Sequence, residues 1–221
     1  MNKAFYRIGA VMASALLFAG CAASGMKTVE KTGFLGDYSQ LSPGGENRAA
    51  LVYIKPGADL KPYNKLMFER VVVLLSDSAD YRAIDPTTLK ELADYYQNAI
   101  FAAVKDGYEI VAQPGPGVLR VRVAITEIKP SKPVANTLST ITPPGVLISS
   151  VTKLASDENL GTGEAGTEFE LLDAMTGERL AAAVDRRQGG KGVFRGKWDD
   201  TKEAFDLWAN RFRQRLDEAR K

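Results

Sequence analysis

The chain has 221 residues, with 29 Lys+Arg against 27 Asp+Glu, a single Cys and no His. Without imidazole there is no Ser-His-Asp triad, no imidazole general base and no His-containing zinc site. The length suits one domain with a sizeable core, burying about 70% of the unfolded chain's surface.

Residues 1–20 combine Lys3 and Arg7, an apolar stretch from Ile8 to Phe18 and the small pair Ala19-Gly20, the three parts of a secretory signal. The stretch falls well short of the roughly 20 residues a spanning helix needs, and no later apolar run is longer. Leu17-Phe18-Ala19-Gly20-Cys21 resembles the lipobox of bacterial lipoproteins, with Phe18 where Leu is usual. The resemblance implies cleavage before Cys21, a thioether to diacylglycerol on its sulfur and acylation of the new amino terminus. Ala22, where an Asp would mark retention in the inner membrane, directs the expectation to the cell outer membrane, facing the periplasm. The alternative is an ordinary secreted protein with an incidental cysteine. At about 0.8 kcal/mol per buried methylene, three acyl chains make release negligible.

Lys3 and Arg7 leave with the signal and no acidic residue does, so 27 basic residues face 27 acidic ones in the mature chain. That balance suggests neither nucleic acid nor an anionic membrane surface as a partner; the expected membrane contact is through the acyl chains on Cys21. Residues 21–32 are small and polar, a flexible tether reaching at most about 40 Å.

The domain proper, residues 33–221, opens with Gly33-Phe34-Leu35-Gly36-Asp37-Tyr38-Ser39-Gln40-Leu41. With Tyr53-x-x-Pro56 and Asp173-Ala174-x-Thr176-Gly177-Glu178, this segment resembles a family of bacterial lipoproteins known as domain of unknown function 3313. The resemblance spans nearly all of the mature chain, implies an envelope lipoprotein and supplies no catalytic or binding residue. Read from the residues, Phe34, Leu35, Tyr38 and Leu41 are apolar anchors around a Gly36-Asp37 turn, forming a strap that pins the start of the domain to its core. The other reading is a partner-docking patch with Asp37 and Tyr38 facing outward.

Ala50–Lys55 and Lys65–Leu75 read as strands, and the run Val71-Val72-Val73-Leu74-Leu75 places the second at the centre of a sheet. Asp85-Pro86 opens an amphipathic helix of about 20 residues, with Leu89, Leu92, Tyr96, Ile100 and Val104 on its apolar side and Gly107 as its stop. Tyr108–Ala112 and Val118–Ile128 flank a Gly/Pro turn and read as one hairpin; in the longer strand alternation leaves one face buried and the other wet. Thr167–Asp173 and Glu178–Asp185 read as a second hairpin, with Gly177 in a left-handed turn position. A last helix starts near Asp200, with Glu203 completing a capping box. Its apolar stripe includes Phe205, Trp208 and Phe212, while Arg211, Arg213 and Arg215 sit mostly in solvent. The stretch from Pro130 to Gly166 gives no clear pattern.

Candidate chemistry is sparse. Ser150-Val151-Thr152-Lys153 matches the S-x-x-K signature of penicillin-binding proteins and Lys31-Thr32-Gly33 their K-T-G, but the K-T-G precedes the serine and falls in the tether. Gly161-Thr162-Gly163-Glu164-Ala165-Gly166 spells G-x-G-x-x-G without the helix that a dinucleotide site needs. Asp77 with Asp80 and Asp199 with Asp200 are paired carboxylates, and the calcium-loop pattern is absent.

The expectation is an α+β fold, a mainly antiparallel sheet with two amphipathic helices packed on one face. The expected function is a non-enzymatic accessory or binding module of the cell envelope, with an unidentified envelope protein as partner and no cofactor. The alternative is a periplasmic hydrolase using carboxylates or the Ser150/Lys153 pair.

Overall fold

The computed structural model describes residues 29, 31–75, 84–131, 162–189 and 196–221. Cys21, the signal, most of the tether, Asp77, Asp80, the Ser150/Lys153 pair and most of the Pro130–Gly166 connection lie outside them.

Three long strands run antiparallel: β6 (Val118–Lys129), β7 (Glu164–Asp173) and β8 (Arg179–Gln188). Side chains alternate between the faces, and the register sets Val121 opposite Leu171 and Leu171 opposite Ala181, so apolar rows line up across the strands. Strict alternation would carry Glu127 to the apolar row after Ile125. A register shift between Ile125 and Glu127 prevents this, pairing Glu127 with Gly166 and Ile128 with Ala165, and Ile128 is fully buried. The turn joining β7 to β8 has Gly177 at φ +73°, as its sequence predicts.

Short strands extend the sheet at both margins. β1 (Ser42–Pro43) pairs with β2 (Leu51–Ile54), and β2 with β8, all antiparallel. On the other side β3 (Lys65–Phe68) and β4 (Val72–Val73) both run parallel to β6, and β5 (Glu109–Ile110) runs parallel to β3. Among the described residues the order is β1-β2-β8-β7-β6-β3-β5, with β4 also on β6. Two expectations are corrected here. The stretch Lys65–Leu75 is two strands broken at Glu69–Val71, and it lies near a margin with Val72 39% and Leu74 40% exposed. Tyr108–Ala112 does not form a hairpin with β6, because β3 is inserted between β5 and β6.

Parallel strands need a crossover, and α1 (Pro86–Val104) supplies it between β4 and β5. Asp85 caps it by accepting from Thr88 N at 2.9 Å, and Pro86 takes the first position. Gly107 is not a left-handed stop; the Arg213 guanidinium lies against it, 2.4 Å from where a Cβ would sit.

The second helix, α2 (Asp199–Ala219), starts one residue early, with Trp198 at its cap position making no side-chain cap bond. Asp200 is buried within the first turn, where its carboxylate accepts from Ser131 Oγ at 2.7 Å and Gly163 N at 2.8 Å. The capping box is thus replaced by a tie from α2 to the ends of β6 and β7. Arg211 and Arg213 are also drawn in, Arg211 to Asp185 and Arg213 to Asp217 and the Ala103 carbonyl.

Buried residues of α1 and α2 join Leu119, Val121, Val123, Ile125 and Leu171 in one apolar cluster. Tyr96 stacks on Phe205 with ring centroids 4.4 Å apart, and Trp208 Nε1 donates to Asp185 Oδ2 at 2.7 Å. A smaller cluster on the opposite row of the sheet gathers Leu35, Ala182 and Val184, with Phe34, Tyr38, Leu41, Leu51 and Tyr53 against it. The strap reading of residues 33–41 therefore holds, and the row expected to be wet is in part covered.

Candidate functional site

The strap fastens to carboxylates of β7. Glu168, fully buried, accepts from Thr32 N and Thr32 Oγ1, both at 2.9 Å, and from the Tyr38 hydroxyl. Tyr38 Oη in turn accepts from Gly33 N at 2.9 Å. Burial, then the bond to Glu168, pushes the Tyr38 hydroxyl above its ordinary pKa. Glu170 accepts from Arg122 and from Arg179 Nε, and Arg179 also donates to the Leu35 and Asp37 carbonyls. Arg122 lies over the Phe34 ring, 4.7 Å from its centroid.

The two strap candidates part company. Tyr38 turns its hydroxyl inward, which leaves no outward pair with Asp37. Asp37 is exposed, and the Ser39 N–H that donates to its Oδ1 at 2.8 Å holds it below the usual carboxylate range. Thr32, Tyr38, Glu168 and Arg179 are spent on holding the strap.

A second charged group sits farther along the same strands. Arg186 donates to Glu127 Oε1 at 2.9 Å and also reaches Glu164, while Lys129 Nζ lies 3.0 Å from Glu164 Oε2 and 3.4 Å from Glu127 Oε1. Burial pushes Glu127 up; for Glu164 burial acts the same way, but hydrogen bonds from Lys129 and Arg186 outweigh it and hold the group down. This is the nearest approach to an acid–base pair among the described residues. Both carboxylates are engaged by the same two cations, the arrangement of an ion-pair network.

A concave feature lies at the β3/β4 margin of the sheet. Where the chain breaks between β3 and β4 beside α1, a cleft of about 460 Å³ opens, lined by Phe68, Glu69, Arg70, Val71 and Val73 and, from α1, by Lys90, Ala93, Asp94, Gln97 and Phe101. Phe68 meets Phe101 edge-on with centroids 4.9 Å apart. Gln97 Oε1 accepts from Val71 N at 3.0 Å, stapling the broken strand to the helix. Lys90 and Asp94 pair along α1, and that bond, with the Arg70 charge nearby, holds Asp94 below the usual carboxylate range. Glu69 is engaged by Arg120 and Arg122. Arg70 itself is exposed and forms no ion pair or hydrogen bond among the described residues.

The sequence profile of a family described as "Protein of unknown function (DUF3313)" matches residues 30–212. The chain belongs to that family. No curated protein matches this DUF3313 chain. Its fold is similar to that of the PelC dodecamer from Paraburkholderia phytofirmans at 13% identity and TM-score 0.38, covering 75% of this chain and 94% of that one. It is similar also to a minor lipoprotein from Acinetobacter baumannii, at 10% identity and TM-score 0.34 over 72% and 95% of the two chains. A DUF4136 family protein from Bacteroides thetaiotaomicron is a third, at 12% identity and TM-score 0.32 over 77% and 95%.

Within the DUF3313 domain, the cleft and the Glu127/Glu164 group escaped the sequence reading. One signal for the cleft was present: Glu69-Arg70 interrupts an otherwise apolar run from Leu66 to Leu75, and charges inside such a run mark a break in the strand. In the G-x-G-x-x-G stretch, Gly163 and Gly166 are required by packing, since an added Cβ would come within 2.8 Å of Ser131 Oγ and 2.7 Å of Thr126 Oγ1 respectively. Among the described residues no group of three carboxylates comes together as a cation site requires, and no helix is long and apolar enough to cross a membrane.

Proposed function

We propose that this DUF3313 protein is a lipid-anchored envelope protein that acts by binding and not by catalysis. In this reading acyl chains on Cys21 hold it at the outer membrane, facing the periplasm. There α1 and α2 cover one face of the sheet, and an envelope protein is its partner. The observation that carries the binding reading is the β3–α1 cleft: its floor is apolar, and among the described residues its lining holds no hydroxyl or thiol nucleophile. The Lys90 and Asp94 charges that face it are spent on each other.

Crosslinking in the intact envelope, followed by identification of the adducts, tests this. The expected result is one recurrent envelope partner, lost when Cys21→Ser releases the protein from the membrane. Recovery of the protein from the cytosol, or adducts equally abundant in Cys21→Ser, would contradict it.

A second reading rests on the opposite pKa directions of Glu127 and Glu164. It makes the protein a periplasmic hydrolase with Glu127 as the acid. Hydrolysis of an envelope polymer by the purified protein, abolished in Glu127→Gln, would favour that reading over the first.

A further inference from the structure

We infer that the β3–α1 cleft is a binding site for a small amphipathic anion, an apolar body of about ten carbons carrying one carboxylate or similar group. The inference rests on the binding reading above and gives its site a ligand class. Phe68, Phe101, Val71 and Ala93 supply a floor on which an aromatic or aliphatic body is removed from water. A volume of about 460 Å³ lies within the range of small-molecule sites and accepts a body of that size with room to spare.

Charge decides which head group the cleft takes. Glu69 is paired with Arg120 and Arg122, so its charge is already matched. Of the remaining rim charges, Lys90 and Asp94 cancel as a pair. Arg70 is a second cation near that carboxylate, and its five N–H donors form no ion pair or hydrogen bond among the described residues. Two cations, Lys90 and Arg70, against the one carboxylate of Asp94 leave the described rim net positive beside an apolar floor, which is complementary to an amphipathic monoanion and repels an amphipathic cation.

The test uses the mature chain, purified from membranes and reconstituted in lipid nanodiscs, with empty nanodiscs as the blank. The probes are 4-phenylbutyrate, the neutral 4-phenylbutan-1-ol and the cationic 4-phenylbutylamine, followed by ligand-detected NMR titration. The expected result is saturable binding of 4-phenylbutyrate above the blank, roughly tenfold weaker in Arg70→Gln, the loss typical of one charge-assisted hydrogen bond. The alcohol binds the wild type about as weakly as the acid binds Arg70→Gln, and the amine does not bind. Arg70 is exposed and forms no ion pair or hydrogen bond among the described residues, so its replacement leaves the fold intact, and Ala93→Leu, which fills the floor, weakens all binding as a second check. Signals no larger than those of empty nanodiscs, equal affinity in wild type and Arg70→Gln, or binding of the amine as tight as the acid would overturn the inference. Such a failure leaves the recurrent crosslinked partner as the separate measure of the binding function.

Discussion

Tyr38 on the amino-terminal strap donates its hydroxyl hydrogen to Glu168 in β7, 130 positions away along the chain, and Glu168 is fully buried beneath it. A buried carboxylate is costly unless each lone pair finds a donor, and here the donors come from Thr32 and Tyr38. Tyr38→Phe keeps the ring on the apolar cluster and removes one donor. It should destabilise the protein by about 2 kcal/mol, the cost of leaving a buried charged acceptor under-satisfied. For a domain of this size that lowers the melting midpoint by roughly 4–8 °C in thermal unfolding. Asp37→Asn, next door but exposed, should leave the midpoint where it is.

The Tyr63–Asp173 pair sets a pH dependence. Tyr63 Oη donates to Asp173 Oδ2 at 2.6 Å, and that bond, then burial, raises Tyr63 from its ordinary 10.0 to about 12. A raised folded pKa means that the contribution is complete below the unfolded value, so it is lost as pH climbs from about 10 to about 12. Asp173 is held below its ordinary 3.8, first by the same bond, so its contribution is present above that value and is lost as pH falls below it. Both residues are half-buried, and the bond is worth about 1 kcal/mol at neutral pH. Denaturant unfolding of Tyr63→Phe across pH should show that loss at neutrality, with no difference from wild type remaining above about pH 12.

Gly189 has no room for a side chain, because an added Cβ would lie 2.0 Å from the Asp200 carboxylate carbon. That carboxylate is buried and bonded to Ser131 and Gly163, so it has little freedom to retreat. Gly189→Ala should therefore cost about 2–3 kcal/mol, as overpacking of an interior does. Gly45→Ala is the informative comparison. Nothing lies within 4 Å of its added Cβ, so only its φ of +73° opposes the change, at about 1 kcal/mol.

These residues also show what the sequence reveals of such a fold. The cap and stripe of α1 and the β7–β8 turn are local: Asp85, Pro86 and Gly177 act on neighbours within a few positions, so their chemistry can be read in order. The parallel margin is not local. Val71–Leu75 has the composition of a central strand, but whether a strand lies at the centre depends on which partners arrive from later in the chain. Here β5 contributes only two residues beyond β3. Asp200 misled for a related reason. Its spacing to Glu203 fits a capping box, yet Ser131 and Gly163, distant in sequence, draw its carboxylate into the interior. The strap was legible from its apolar anchors, whereas the direction of Tyr38 was fixed by Glu168, which nothing near residue 38 announces. The cleft needed both the break at Glu69-Arg70 and the crossover that lays α1 beside it.

The account of this protein as an envelope binding module depends on how the polypeptide is held beside a bilayer. Intact-mass and fragment mass spectrometry of the protein extracted from membranes measures this most directly. The account predicts an amino terminus at Cys21 carrying a diacylglyceryl thioether and an amide-linked acyl chain. An unmodified Cys21, or residues 1–20 still attached in the bulk of the protein, would contradict it.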